Sequence, residues 1–230
     1  MSDHYGVQMI ARDSLDIVKR TVHAGQTLAS VRDLCESAMK TLGADSFWYW
    51  DIGAFVFAGE DTVQSVSGRS YLTADRVIQP DDIITIDLSP QRDGLWGDFA
   101  RTIIVENGRA IEDPRLASNE DWRSGVLAEE RLHADLCGVA EPSMTLGDLY
   151  TAMNSRIRDL GFENLDFLGN LGHSIERRSA DRVYIEQGNT TRLGELELFT
   201  FEPHIRRPGG AFGFKHENIY YFENARLVEL

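Results

Sequence analysis

The chain has 230 residues, 42% of them hydrophobic and 26% charged, enough to bury a substantial core in one large domain or two small ones. Acidic residues number 37 against 23 basic, and the formal net charge of −14 argues against nucleic acid and anionic membrane as partners. The first residues, "MSDHYGVQMIARDS", carry no apolar leader core, and Cys35 and Cys137 form neither a metal-type pair nor a disulfide framework. A cytoplasmic globular protein is the expectation.

In chain order, an amphipathic segment over 10–23 precedes "TLASVRDLCESAMKTLG" (27–43). There Val31, Leu34, Ala38 and Leu42 recur at helical spacing, Thr27 suits an N-cap, and Gly43 suits the position after the helix. Two strands follow, "ITID" (84–87) and "WGDFARTIIV" (96–105). The pattern then repeats. A second amphipathic segment spans 119–139, and "TLGDLYTAMNSRIRDLG" (145–161) matches the first helix without a gap at an offset of 118. The strands "FTFE" (199–202) and "FKHENIYYF" (214–222) come next, joined by "PGGAFG" (208–213), a hairpin connection without the Lys-Ser/Thr of a phosphate loop. Two α-α-β-β units, roughly 10–110 and 118–230, make up a single domain over 1–230. Helices are expected to cover a curved, mostly antiparallel sheet related by a pseudo-twofold, an α+β architecture.

Strand alternation places Thr85, Asp87 and Ser89 on one face, and Trp96, Asp98, Ala100 and Thr102 on another. In the second unit Thr200, Glu202 and His204 share a face, as do Lys215, Glu217 and Ile219. Asp87 and Glu202 correspond at an offset of 115, Asp98 and Glu217 at 119. Each acid alone reads as a turn or solvated residue. Together they point four carboxylates at one centre, which repel strongly unless protonated or bridged by cations. His173, in "LGNLGHSIE", adds an imidazole. Four hard oxygen ligands and one nitrogen suit a pair of divalent ions such as Mn, Fe, Co or Zn.

The residues "IDLSPQRDGLWGDFART", "GHSI", "FTFEPHI" and "GFKHEN" resemble the pita-bread metallopeptidases, the group of methionine aminopeptidase, Xaa-Pro aminopeptidase and prolidase. "RT" after Asp98 and "GFKHEN" are most similar to the Xaa-Pro side. The resemblance implies that Asp98 and Glu217 bridge two metal ions, Asp87 chelates one, and His173 and Glu202 complete the other. It also implies a metal-bridging hydroxide, its pKa lowered from 15.7 towards about 7, as the nucleophile. Glu202 would then move the proton to the leaving amine, while Thr85, Thr102 and Thr200 orient carboxylates. The substrate implied is a small peptide or amino-acid-like molecule, and a homodimer is compatible.

Two family histidines are missing. The stretch "FAGEDTVQSVSGRSYL" holds none, with Ser67 or a neighbour in the place of the first, and there is none between His173 and His204. His204 shares the face of Glu202 and is the candidate replacement in catalysis; His216 should face away, and His4, His23 and His133 read as solvated. Arg177, Arg178, Arg182, Arg206 and Arg207 flank the motifs, mostly as surface partners of acids, but able to clamp a carboxylate. Arg182, Tyr184 and Trp96 are the candidates for substrate contact. Two readings follow: an Xaa-Pro-type aminopeptidase or dipeptidase, or a non-peptidase hydrolase or lyase on the same metals. A catalytically inactive binding scaffold ranks last, because all five ligands are present.

Overall fold

Helix α1 (Ser2–Thr21) opens the fold and packs against helix α2 (Leu28–Thr41) in a computed structural model that describes residues 2–230. Strands β1 (Ser46–Phe47), β2 (Ala54–Ala58), β3 (Asp82–Leu88), β4 (Pro90–Arg92), β5 (Leu95–Trp96), β6 (Phe99–Glu106) and β7 (Arg109–Ala110) complete the first unit. The second begins with α3 (Glu120–Val139) and α4 (Leu146–Asp159). It continues through β8 (Glu163–Asn164), β9 (Phe199–Phe201), β10 (His204–Arg206), β11 (Gly213–Lys215), β12 (Asn218–Glu223) and β13 (Arg226–Glu229). No helix among the described residues is long and apolar enough to cross a membrane.

The internal repeat is visible in the helices. α1 and α3 each have 20 residues, α2 and α4 each 14, and each pair starts 118 residues apart. Thr27 and Thr145 cap α2 and α4 by accepting from Ser30 N and Asp148 N, and Asp148 returns a contact to make a capping box. Gly43 and Gly161 follow at φ 109° and 82°, backbone that glycine adopts without strain. The first helix begins earlier than its pattern suggested, at Ser2 rather than residue 10, because Val7 and Gln8 also turn inward.

All strand pairs are antiparallel. β3 is central to a four-stranded sheet in the order β2-β3-β6-β7, and β12 to a three-stranded one in the order β13-β12-β9. Two-residue turns set much of the register. Asp93-Gly94 joins β4 to β5, Asn107-Gly108 joins β6 to β7, and Asn224-Ala225 joins β12 to β13, every one of these residues at positive φ. Such turns match the twist of the strands they connect. One core lies between α1, α2 and the first sheet around Leu28, Met39, Ile84 and Ile86. A second lies between α3, α4 and the later strands around Leu136, Met153, Phe201 and Phe214.

Candidate metal centre

Register brings the acids together. Asp87 on β3 pairs with Ala100 on β6, and Ala100 bridges to Glu217, whose N–H donates to the Ala100 carbonyl at 2.9 Å. Directly paired residues share a face, so Asp87 and Glu217 flank a methyl group. Asp98, two residues before Ala100, closes the group. Ligand atoms of Asp87, Asp98 and Glu217 lie within 4.8 Å of one another. A larger residue than Ala100 would fill the space between them.

The second unit supplies the rest. His173 lies beside β9: Thr200 N donates to the His173 carbonyl at 2.7 Å, and His173 N donates to Thr200 Oγ1 at 3.1 Å. Gly172 makes this approach feasible, since a Cβ there would stand 2.2 Å from the Thr200 carbonyl oxygen. His173 Nδ1 meets the Ser174 carbonyl at 2.9 Å, which leaves Nε2 pointing inward, 3.5 Å from Asp98 Oδ2 and 3.7 Å from Glu202 Oε1. Nε2 is thus the free, metal-ready nitrogen. The structure brings together Asp87, Asp98, His173, Glu202 and Glu217.

The electrostatics call for a cation. Burial, then Asp87 and Glu202, pushes the Asp98 carboxyl well above the usual carboxylate range, and burial with Asp98 and Glu202 does the same to Glu217. Glu202 is raised by burial and by Asp87, against the opposing pull of Lys215. His173 is held neutral, lowered to about 3 by burial and then by Arg182. Asp98 Oδ2 and both Glu217 oxygens are buried without a hydrogen-bond donor among the described residues. Orphaned acceptors of this kind cost free energy unless a cation meets them. This donor set, hard oxygens plus one neutral imidazole, fits divalent metal.

Lys215 is a site residue that the motif reading did not single out. Its Nζ donates to Asp87 Oδ2 and lies 3.4 Å from Glu202 Oε2. Burial alone would lower its pKa, yet Asp87, Glu202 and Glu217 raise it well above the ordinary lysine range. Its position two residues before Glu217 on the same strand face was the available signal. Gln8 was also missed. Its Nε2 donates to the Asp98 carbonyl at 2.8 Å and its Oε1 accepts from Asp98 N at 2.9 Å, fixing the peptide of a ligand from inside α1. A lone glutamine beside Val7, Ile10 and Ala11 on a buried helix face was the clue.

Other residues differ from expectation in detail. Thr102 Oγ1 donates to the Lys215 carbonyl and accepts from Lys215 N, and Thr200 Oγ1 accepts from His173 N, so these hydroxyls lock backbone rather than carboxylates. Thr85 lines the pocket beside Asp87. Ser67 caps a short turn by accepting from Arg69 N, and Gln64, Ser65 and Val66 line the pocket instead. His133 is buried, not solvated: its ring nitrogens meet Tyr220 Oη at 2.7 Å and the His216 carbonyl at 3.0 Å. His4 is half-buried, with Nδ1 enclosed, because its end of α1 packs inward. His216 faces away from the cluster, as alternation requires.

Above the cluster lies a pocket of about 120 Å³ walled by Trp48, Tyr49, Phe55, Phe57 and Tyr184. Arg182 sits over the rings of Trp48, Tyr49 and Tyr184 at 5.0, 5.4 and 5.3 Å. Its Nε donates to the Ser179 carbonyl. Arg178 and Arg206 instead pair with Asp181 and Glu163. Trp96 is stacked behind Trp48, centroids 4.6 Å apart, and supports that wall from the core. His204 lines the pocket floor, but its Nε2 meets the Thr62 carbonyl at 2.7 Å. Burial and then Lys215 lower it to about 4, so it is neutral.

Comparison with known proteins gives a consistent result. The family model described as metallopeptidase family M24 matches residues 6–224. Methionine aminopeptidase A of Synechocystis sp. is 30% identical over 136 residues, covering 56% of this chain and 48% of that protein. An Xaa-Pro dipeptidase of Lactobacillus helveticus is 28% identical over 58% of this chain and 33% of its own length. The chain therefore spans half or less of the length of these relatives. Prolidase from Pyrococcus furiosus superposes with a TM-score of 0.79 at 21% identity, over 97% of this chain and 61% of that one. Methionine aminopeptidase from Thermotoga maritima gives 0.75 at 18% identity, over 98% and 92%. These likenesses establish the pita-bread fold.

Proposed function

The chain belongs to metallopeptidase family M24, and from that premise we propose that it is an Xaa-Pro-type dipeptidase or aminopeptidase working with two divalent ions. The observation that carries this is the convergence of Asp87, Asp98, His173, Glu202 and Glu217, with three buried oxygens lacking a hydrogen-bond donor among the described residues. Asp98 and Glu217 would be shared between the ions, Asp87 would serve one, and His173 with Glu202 the other. When bound, the metals supply an activated water and polarise the scissile carbonyl.

The remaining work falls to the chain's own groups. Glu202, raised by burial and by Asp87 and pulled back by Lys215 with one oxygen 3.4 Å from Lys215 Nζ, would carry a proton to the departing amine. Lys215 offsets the negative charge of Asp87 and Glu202 and keeps Asp87 oriented. The aromatic walls exclude water. Arg182, held by three rings and paired with no carboxylate among the described residues, is free to bind the carboxylate end of a short peptide. That favours dipeptides over longer chains.

A second reading rests on the imidazoles. Among the described residues lining the pocket only His173 and His204 are histidines, and His204 is tied to a backbone carbonyl. A small amidic metabolite with a carboxylate would need fewer assisting groups than a peptide. The deciding experiment is mass-spectrometric turnover of free dipeptides, Xaa-Pro peptides and small amidic acids, with Mn or Co added and after chelation. Metal-dependent dipeptide cleavage supports the peptidase. Intact peptides alongside metal-dependent loss of an amidic acid would move the assignment to the second reading.

A further inference from the structure

Strand β6 has a second face, and a second cavity. Behind the metal centre, between α1, α3 and the back of β6, lies an open cavity of about 890 Å³. It is lined by apolar side chains, among them Leu15, Phe99, Ile103, Ile111 and Val126, and by Glu129 from α3. Glu129 is 2% exposed, and neither of its oxygens has a hydrogen-bond partner among the described residues. Nothing in the metal site uses it.

A buried carboxyl without a donor is destabilising, and Glu129 could have been replaced by an apolar residue of similar size if packing were its purpose. The charges around it indicate what it lacks. The basic groups lining the cavity are already occupied. Arg12 pairs with Glu229, Lys19 donates to the Glu112 carbonyl, and Arg115 pairs with Asp113 and Glu130. Lys215 and Arg101 are near enough to act on Glu129 electrostatically but hydrogen-bond elsewhere: Lys215 turns to Asp87 and Glu202 on the other face, and Arg101 donates to the carbonyls of Ala100 and Glu217 and to Asn218 Oδ1. An added anion would meet no cation of the lining that lacks a partner among the described residues. An added ammonium would meet Glu129. Besides Glu129, the polar atom of this lining with no hydrogen-bond partner among the described residues is Arg12 Nε, which is buried and leaves one donor for an acceptor atom.

We propose that this rear cavity is a binding site for a small primary amine with an aliphatic body, its ammonium seated on Glu129. The methylenes lie along Leu15, Phe99, Ile103, Ile111 and Val126, and a polar atom on the ligand can reach Arg12 Nε. Burial raises the Glu129 carboxyl well above its usual range, and a bound ammonium restores the ionised form. The site is separate from the one proposed to cleave peptides and does not depend on that assignment.

The test is calorimetric titration of the metal-loaded protein at neutral pH with n-pentylamine and aminopentanol, using n-pentanol and pentanoate as controls. Saturable binding of both amines, with neither control binding, is expected. Glu129→Gln preserves the shape of the side chain, and it should weaken both amines by about ten-fold or more, the effect of losing one charge-assisted hydrogen bond. Amide NMR shifts locate the ligand independently, and they should appear at Ile111 and Val126. No saturable amine binding would overturn the proposal. So would unchanged affinity in Glu129→Gln, or shifts confined to His173 and Tyr184, which would place the amine at the metal centre instead.

Discussion

The two faces of β6 and of the consecutive strands β11 and β12 use the same strands to opposite effect. On the front, Asp98 and Glu217 join Asp87 in a cluster whose ligand oxygens lie within 4.8 Å, with the Lys215 ammonium against it. On the back, neighbours in sequence point the other way. Arg101 stacks on Phe99 with its guanidinium 3.9 Å from the ring, His216 packs on His133, and Glu129 has no hydrogen-bond partner among the described residues. Front and back each hold buried charge. The front concentrates one sign in a donor set that suits metal, whereas the back satisfies its cations singly and leaves Glu129 without a hydrogen-bond partner among the described residues. A strand with period 2 keeps these environments apart even though Glu217 and His216 are adjacent in sequence.

The comparison breaks most sharply at Ala100. Ala100→Leu leaves all five ligands intact but fills the space between Asp87 and Glu217, so metal content should fall as in Glu217→Ala. Turnover should drop by about 10³-fold or more in both, since the metals supply water activation. Elemental analysis and kinetics check this, and a fully metallated Ala100→Leu would show that the ions sit elsewhere. Glu129→Gln, on the back, should keep its metal.

Smaller effects sharpen the picture of the front. Arg182→Met should raise KM for substrates with a free carboxylate by about ten- to hundred-fold, the usual range for a charged hydrogen bond, and leave the corresponding amides unaffected. Equal losses for acid and amide would make Arg182 a packing residue. His204→Ala should lower kcat by about ten-fold with metal content unchanged. Unaltered kinetics would reduce His204 to a tie between β10 and the Thr62 segment.

The smallest effect concerns stability on the back. Glu129 is raised in the folded protein, so its ionisation favours the unfolded chain. Its contribution is fully present below about 4.5, the ordinary glutamate value, and is lost as pH rises toward the folded value. Glu129→Gln removes that dependence. Chemical denaturation should find the variant and the parent alike near pH 4.5 and the variant more stable by about 1–3 kcal/mol at pH 8, the cost of one unsatisfied buried group. A gap that shrinks with rising pH would mean that Glu129 is ionised and paired.

Sequence alone determined the elements that local rules govern. Thr27, Gly43, Thr145 and Gly161 mark two helices of equal length, and the repeat they reveal placed four acids in matched positions, to which His173 adds an imidazole. Alternation put Asp87, Asp98, Glu202 and Glu217 on faces that could meet, and the resemblance carried by those motifs supplied the family. Tertiary structure decided what lies between and behind them. Ala100 matters only because it falls between Asp87 and Glu217 across three strands, and Gln8 because α1 docks on the Asp98 peptide. His133 reads as a surface residue in "AEERLHAD", but the packing of α3 over Tyr220 and His216 buries it. Glu129, one turn earlier on the same helix, is hidden by the same docking. Periodicity records which residues share a face. Which face meets water, metal or another charge depends on contacts between residues far apart in the chain, and only the folded arrangement supplies those.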